Sequence, residues 1–487
     1  MAIVLLLAAF DSAAGASEVV IAPARMTATG TVDARFQSYN VEMVEVTGGR
    51  FWKPYAQRDM QRDRYRYRPP VDLTNPRLRK LAAALGPAYM RVSGTWANAT
   101  FVADTDGAPP APPAGFDTVL TRAQWRGVVD FARAVDAGIV TSFAVSPGVR
   151  DADGAWTPDQ AQRLIDQTRS LDGRIAAAEF MNEPTLAATN GPPPGYDAKA
   201  YGRDFKIFRD WIRRSSPETL IVGPDSVGDS SSTTGVRTRD LLAASGPGLD
   251  RISYHHYNTL SHRCGVHDDP AQVLTEDWLS RTDGALAVIR RLRDDYEPGK
   301  LIWLTETANA ACGGNPEDAT FLDSLRYLDQ LGRLARAGVQ VVMHNTLAAS
   351  DYGLLDDKTF RPRPDYWGAL LWHRLMGATV LDAGTASTSG LHVYAHCHPA
   401  SKSAASVLVI NTSRHEARAV TLAVSAARYT LQAERLRAAN VRLNGKRLSL
   451  TDEDGLPPLT PRTAPAGELR LPPASISFLV MQAAACR

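Results

Sequence analysis

Two glutamates stand out by where they sit. Ile175, Ala176, Ala177, Ala178, Phe180 and Met181 form a compact apolar run that stops at Asn182-Glu183-Pro184. Proline has no N–H and disfavours helix at the residue before it, so this run reads as a buried strand with Glu183 at its tip. Trp303-Leu304-Thr305-Glu306 repeats the arrangement: an apolar strand with a glutamate at its end. Carboxylates at the C-terminal ends of buried parallel strands occupy the positions where barrel enzymes carry catalytic groups. Two of them facing one cavity are the minimum apparatus for glycoside hydrolysis. One protonates the leaving oxygen, and the other attacks the anomeric carbon or activates water.

The elements that must position this pair follow from the hydrophobic pattern. Strand-like stretches at 36–46, 88–93, 139–145, 175–181, 220–223, 252–257, 301–305 and 340–345 alternate with helix-like stretches up to 364–376. Such alternation implies an α/β fold, a (β/α)8 TIM barrel, with Glu183 on the fourth strand and Glu306 on the seventh. An open doubly wound sheet would want a glycine-rich phosphate turn after its first strand, and none is present. The stretch from Trp52 to Pro70 shows no period and reads as loop. Beyond Gly377 the texture changes to short β segments with turn signals at Ser413-Arg414 and Asn444-Gly445, which implies an appended β-sandwich. The expected domains are therefore a leader over 1–16, a strand segment over 17–35 contributed to the sandwich, the catalytic barrel over 36–376 and the sandwich over 377–487.

Bulk properties set outer bounds. The chain has 487 residues, 44% of them hydrophobic and 22% charged, with a formal net charge of +2. That charge gives no global field for nucleic acid, and no internal run approaches the roughly 20 apolar residues of a membrane span. Ile3–Phe10 followed by Ala14-Gly15-Ala16 has the form of a secretory core and cleavage site, although no basic residue precedes it. A secreted or periplasmic location is the expectation. The four cysteines, Cys264, Cys312, Cys397 and Cys486, allow three pairings, and the lack of a CxxC argues against a zinc site. His255, His256 and His344 could suggest a metal, but adjacent strand residues point to opposite faces, so neither a metal nor a cofactor is expected.

Six segments in order, GPAYMRVSGTWANATF (86–101), SYHHY (253–257), LTETANAACGG (304–314), GVQVVMHNTLAASDYGLLDD (338–357), PDYWGALLWHRLMG (364–377) and VRLNGKRLSLTDEDGLPPL (441–459), carry a resemblance. With Asn182-Glu183-Pro184 and Glu306, the chain resembles glycoside hydrolase family 79, the heparanase and β-glucuronidase family. The resemblance implies a retaining endo-β-glucuronidase acting on heparan sulfate or a related glycosaminoglycan, with exo action as the alternative. A barrel that only binds polyanions would not need the two glutamates. Carried over by position, Glu183 is the acid/base, its pKa raised by the nearby charge of Glu306, and Glu306 is the nucleophile. Asn182 holds the sugar 2-hydroxyl, Tyr257 orients the nucleophile, and His255 hydrogen-bonds in the pocket. Tyr352 and the turn at Gly313 bind the uronate carboxylate, with Thr95 and Glu42 as further pocket positions. Arg62, Arg64, Arg66 and Arg263 are possible polyanion contacts on the catalytic face. The resemblance pairs Cys397 with Cys486, which leaves Cys264 with Cys312. Only Gly107–Gly115 stands where mammalian heparanases carry a long excised segment, which implies a single chain like the bacterial members. Nothing in the sequence bears on oligomeric state.

Overall fold

The computed structural model describes residues 19–55, 63–229, 235–384, 389–483 and 486. The expected leader and Arg62 lie outside these residues.

Eight parallel strands close into a barrel: β1 (Gln37–Asn40), β2 (Ala88–Val92), β3 (Ala137–Ser142), β4 (Ile175–Glu179), β5 (Leu220–Val227), β6 (Arg251–Leu260), β7 (Leu301–Ala311) and β8 (Val341–His344). They pair in sequence order, and β8 returns to β1. This is the (β/α)8 architecture, with amphipathic helices such as Arg122–Ala134 and Ala198–Ser215 packed outside.

The period-two alternation of strands builds the barrel interior in layers. Val140, Ala177, Val222, Trp303, Val341 and Met343 form an apolar plug, with Tyr89 packed against it. Two residues further along their strands stand Arg91, Ser142, Glu179 and Thr305, all buried. An apolar floor therefore carries a polar layer directly beneath the C-terminal mouth.

Three local expectations change. The first strand ends at Asn40, and Met43–Thr47 is a short helix. The alternation over 36–46 suits either form, and burial of Met43, Val44 and Val46 decides for the helix. The stretch 52–70 is not plain loop: Gly49–Trp52 pairs antiparallel with Tyr65–Arg68 in a hairpin. Its apolar signal is hidden among arginines, because among its described residues only Phe51 is buried. The seventh strand runs on to Ala311, so Glu306 lies within it. Its pairing with β8 shifts register between Leu304 and Thr307 and ends at Thr307–His344, beyond which β7 continues beside β6 to Ala311 as a two-stranded rim.

After the barrel, Leu391–Cys397, Ala404–Asn411 and Ser475–Gln482 form the buried antiparallel centre of a nine-stranded sheet. A three-stranded sheet joins Val20–Ile21, Arg418–Leu422 and Gly467–Leu471. Ala28–Thr31 pairs with Thr379–Leu381, so the segment before the barrel runs through the β-sandwich. Cys397 is bonded to Cys486, and Cys264 to Cys312.

Candidate active site

Glu183 and Glu306 meet at the mouth. Glu183 stands four residues past the end of β4 with φ 46°, a left-handed conformation, and Pro184 follows it. An oxygen of Glu183, an oxygen of Glu306 and a nitrogen of His255 all lie within 4.8 Å of one another. His255 Nδ1 is 3.1 Å from Glu183 Oε1 and 3.7 Å from Glu306 Oε2.

Arg91 is the hub beneath them. Its Nε donates to Glu179 Oε1 at 2.7 Å, Nη1 to Glu306 Oε2 at 2.8 Å and Nη2 to Asn182 Oδ1 at 2.8 Å. Burial opposes its charge, but the carboxylates of Glu179 and Glu306 outweigh burial and hold the guanidinium ionised. Asn98 fixes the strand end from the other side: Asn182 N–H donates to its Oδ1, and its Nδ2 donates to the carbonyls of Asn182 and Asn190. Arg91 and Asn98 were quoted only within the 86–101 motif. A charged residue inside the apolar run AYMRVS is the signal that could have marked Arg91, since a buried arginine must find carboxylates.

Tyr257 donates its hydroxyl to Glu306 Oε1 at 2.6 Å, so the two oxygens of Glu306 are held from opposite sides. Burial and the Glu306 charge push the Tyr257 phenol well above its ordinary value, which keeps it a donor. Asn345 Nδ2 lies within hydrogen-bonding distance of Tyr257 Oη (2.9 Å), Tyr352 Oη (3.2 Å) and Glu42 Oε1 (3.1 Å). Asn345 thus joins Tyr257, the partner of Glu306, to Tyr352 and Glu42, a link the sequence did not show. Burial, then the Glu306 charge, raise the Glu42 carboxyl well above the usual range. Thr95 opens the short turn Thr95–Ala99 after β2, half-buried. Asp225, also missed, accepts hydrogen bonds from Ser253 Oγ and Thr305 Oγ1 beneath His255.

The Glu183 carboxyl is pushed up to about 7. Burial raises it, while Arg91 and the side chains of Asn190 and Asn182 pull it back. This corrects the expectation that the charge of Glu306 raises it: Arg91, at 2.8 Å, offsets that charge. Burial pulls His255 down to about 4, so its imidazole is neutral. Glu183, His255 and Glu306 are close enough to share a cation, yet Arg91 already supplies positive charge there. His256 pairs with Asn258 and His344 with the Tyr352 carbonyl, so the three histidines do not converge.

Gly313 and Gly314 form a buried turn with φ 81° and 79° beside Tyr352. A Cβ on Gly314 would lie 2.8 Å from Tyr352 N, and one on Gly313 would lie 2.6 Å from Trp52 Cγ. Arg263 does not face outward as a polyanion contact. Its side chain is 0% exposed, paired with Asp351, with its guanidinium carbon 3.9 Å from the Tyr55 ring centre. On the hairpin, Arg66 pairs with Asp357, while Arg64 is exposed with Nη1 3.8 Å from Cys264 Sγ.

Residues 116–332 match glycosyl hydrolase family 79, N-terminal domain. Heparanase-like protein 1 of Arabidopsis thaliana is 30% identical over 362 residues, covering 70% of this chain and 65% of that protein. Mouse heparanase is 29% identical over 470 residues, covering 84% of this chain and 86% of its own. The chain belongs to glycosyl hydrolase family 79. It is heparanase-like, although its match spans just under two thirds of the Arabidopsis relative. Among solved structures, a 4-O-α-L-rhamnosyl-β-D-glucuronidase from Fusarium oxysporum 12S superposes with a TM-score of 0.65. It is 15% identical, with 95% of this chain and 99% of that one covered, a likeness of fold. In this family 79 chain, Asn182, His255, Tyr257, Tyr352 and Glu42 gather around the two glutamates, and Arg91 and Asn345 tie them together; Gly313 lies on the turn beside Trp52.

Proposed function

We propose that the chain is a retaining β-glucuronidase of the heparanase type. It cuts β-linked glucuronic acid within heparan sulfate or a related glycosaminoglycan, an endo action, and works in a secreted or periplasmic compartment. The observation that carries the reading is the approach of Glu183 and Glu306, whose carboxylate oxygens come within 4.8 Å. Retaining enzymes hold their carboxyl groups roughly 5–5.5 Å apart, whereas inverting enzymes leave roughly 6.5–9.5 Å for a water.

The roles follow from environment. Glu306, held by Arg91 and Tyr257, attacks the anomeric carbon while Glu183, protonated near neutral pH, gives its proton to the leaving oxygen. A glycosyl ester then links the sugar to Glu306. Glu183, now a carboxylate, takes a proton from water as that water displaces Glu306, and the sugar leaves with its configuration kept. Asn182, oriented by Arg91 and Asn98, meets the 2-hydroxyl. The Gly313-Gly314 turn and Tyr352 take the carboxylate of the sugar, an arrangement of amide N–H groups suited to a substrate that must also be released. The two disulfides support an oxidising compartment.

Digestion of heparan sulfate and of an aryl β-glucuronide, with the products sized, tests the reading. Oligosaccharides from the polymer are expected. Free glucuronic acid alone would turn the reading to exo action, and no cleavage of either substrate would remove it.

A further inference from the structure

Among the described residues, the N–H groups of Gly313, Gly314 and Tyr352 have no protein acceptor, although all three residues are buried. Buried amides are otherwise paired with few exceptions, so three together on neighbouring segments mark a place built for an external acceptor. What points them there is visible in the carbonyls. A peptide unit is planar and trans, so fixing one C=O fixes the following N–H on the opposite side.

The carbonyl of Cys312 accepts from Arg263 Nη1 at 3.2 Å and from Ser261 Oγ at 3.0 Å, which aims the Gly313 N–H away from Arg263. The carbonyl of Gly313 accepts from Asp351 N–H at 3.0 Å, which aims the Gly314 N–H; Asp351 is itself the ion-pair partner of Arg263. The carbonyl of Gly314 accepts from Arg263 Nη1 at 2.6 Å and closes the turn. Arg263 Nε donates to the Lys53 carbonyl at 2.9 Å, so both guanidinium edges are engaged. Arg363 repeats the device one segment on. Its Nη1 donates to the carbonyls of Ser350 at 2.6 Å and Asp351 at 3.0 Å, the latter fixing the Tyr352 N–H.

We propose that Arg263 is a positioning residue for uronate selectivity: with Asp351 it holds the carbonyls of the 312–314 turn back so that the turn presents only N–H groups to the sugar's carboxylate. The inference rests on the proposed uronate reading of that turn and assigns the selectivity to a residue that never touches the sugar. A lysine keeps the charge but loses the planar fork that reaches Cys312, Gly314, Lys53 and Asp351 at once.

The test measures kcat and KM on an aryl β-D-glucuronide and on the matching aryl β-D-glucoside for wild type, Arg263→Lys and Asp351→Asn, with melting temperatures alongside. Both variants should raise KM for the glucuronide by about tenfold relative to any change for the glucoside, with the loss in KM rather than kcat, because ground-state anchoring is what is removed. Equal losses on both substrates, or a lowered melting temperature with selectivity kept, would make Arg263 merely structural and overturn the proposal. A wild-type enzyme with no preference for the glucuronide would instead remove the uronate reading itself, and this inference with it.

Discussion

In the proposed mechanism Glu183 begins the reaction as an acid, and burial sets the pH at which it can. With its carboxyl raised to about 7, kcat/KM on an aryl glucuronide should fall as pH rises through about 7, since the proton-bearing form is lost. Glu183→Gln should cut kcat/KM by about 10²–10⁴-fold and abolish that limb. A wild-type profile still flat at pH 9 would contradict the assignment. The stability sign is opposite to that of a salt-bridged carboxylate. A raised folded-state pKa means the folded chain binds the extra proton, so this contribution is full below the unfolded value and is lost as pH rises to about 7. Glu183→Gln should therefore melt above wild type at pH 8, with a gap of up to about 3 kcal/mol that closes towards pH 5. The two glutamates were legible because an apolar run leads into each and a proline follows Glu183, although Glu183 stands four residues past β4 and Glu306 lies inside β7. The hub was not: Arg91 finds Glu179, Glu306 and Asn182 across 88, 215 and 91 residues of chain, and no local pattern carries such pairings.

At the level of elements, strand order was legible and strand ends were not. Alternation and apolar runs locate all eight barrel strands, because burial on both faces writes itself into composition. Where a strand stops depends on what it packs against, so β1 ended early and β7 ran long. Glu42 shows the consequence, since it lies beyond β1 at the start of the helix Met43–Thr47. Gly94, with φ 90°, makes room for it: a Cβ there would lie 1.7 Å from Glu42 Oε2. Gly94→Ala should displace Glu42 from Asn345, loosen the Tyr257–Glu306 pair and lower kcat. Wild-type kcat in this variant would remove Glu42 from the account. The arginine-rich hairpin is the element the sequence misrepresents most. Its arginines, expected as possible polyanion contacts, are partly paired, with Arg50 on Asp63, Arg66 on Asp357 and Arg68 on Glu45.

Across the whole molecule, barrel and sandwich share a buried ionic contact that sequence periodicity cannot show. Asp329, on the barrel helix Phe321–Arg336, accepts from Arg333 Nε at 2.7 Å, from Tyr394 Oη at 2.6 Å and from His392, the last two on the sandwich strand Leu391–Cys397. Asp329→Ala strands these groups in a buried site and should cost about 3–5 kcal/mol, read in denaturant unfolding, while kcat/KM at low temperature is kept. A variant as stable as wild type would show that the two units do not lean on this contact. The central claim remains the double displacement at Glu183 and Glu306, and the anomer of the first product tests it most directly. Proton NMR of an aryl β-glucuronide during the first turnovers should show β-glucuronic acid appearing before mutarotation supplies the α form. The α anomer appearing first would mean inversion, and would contradict the account.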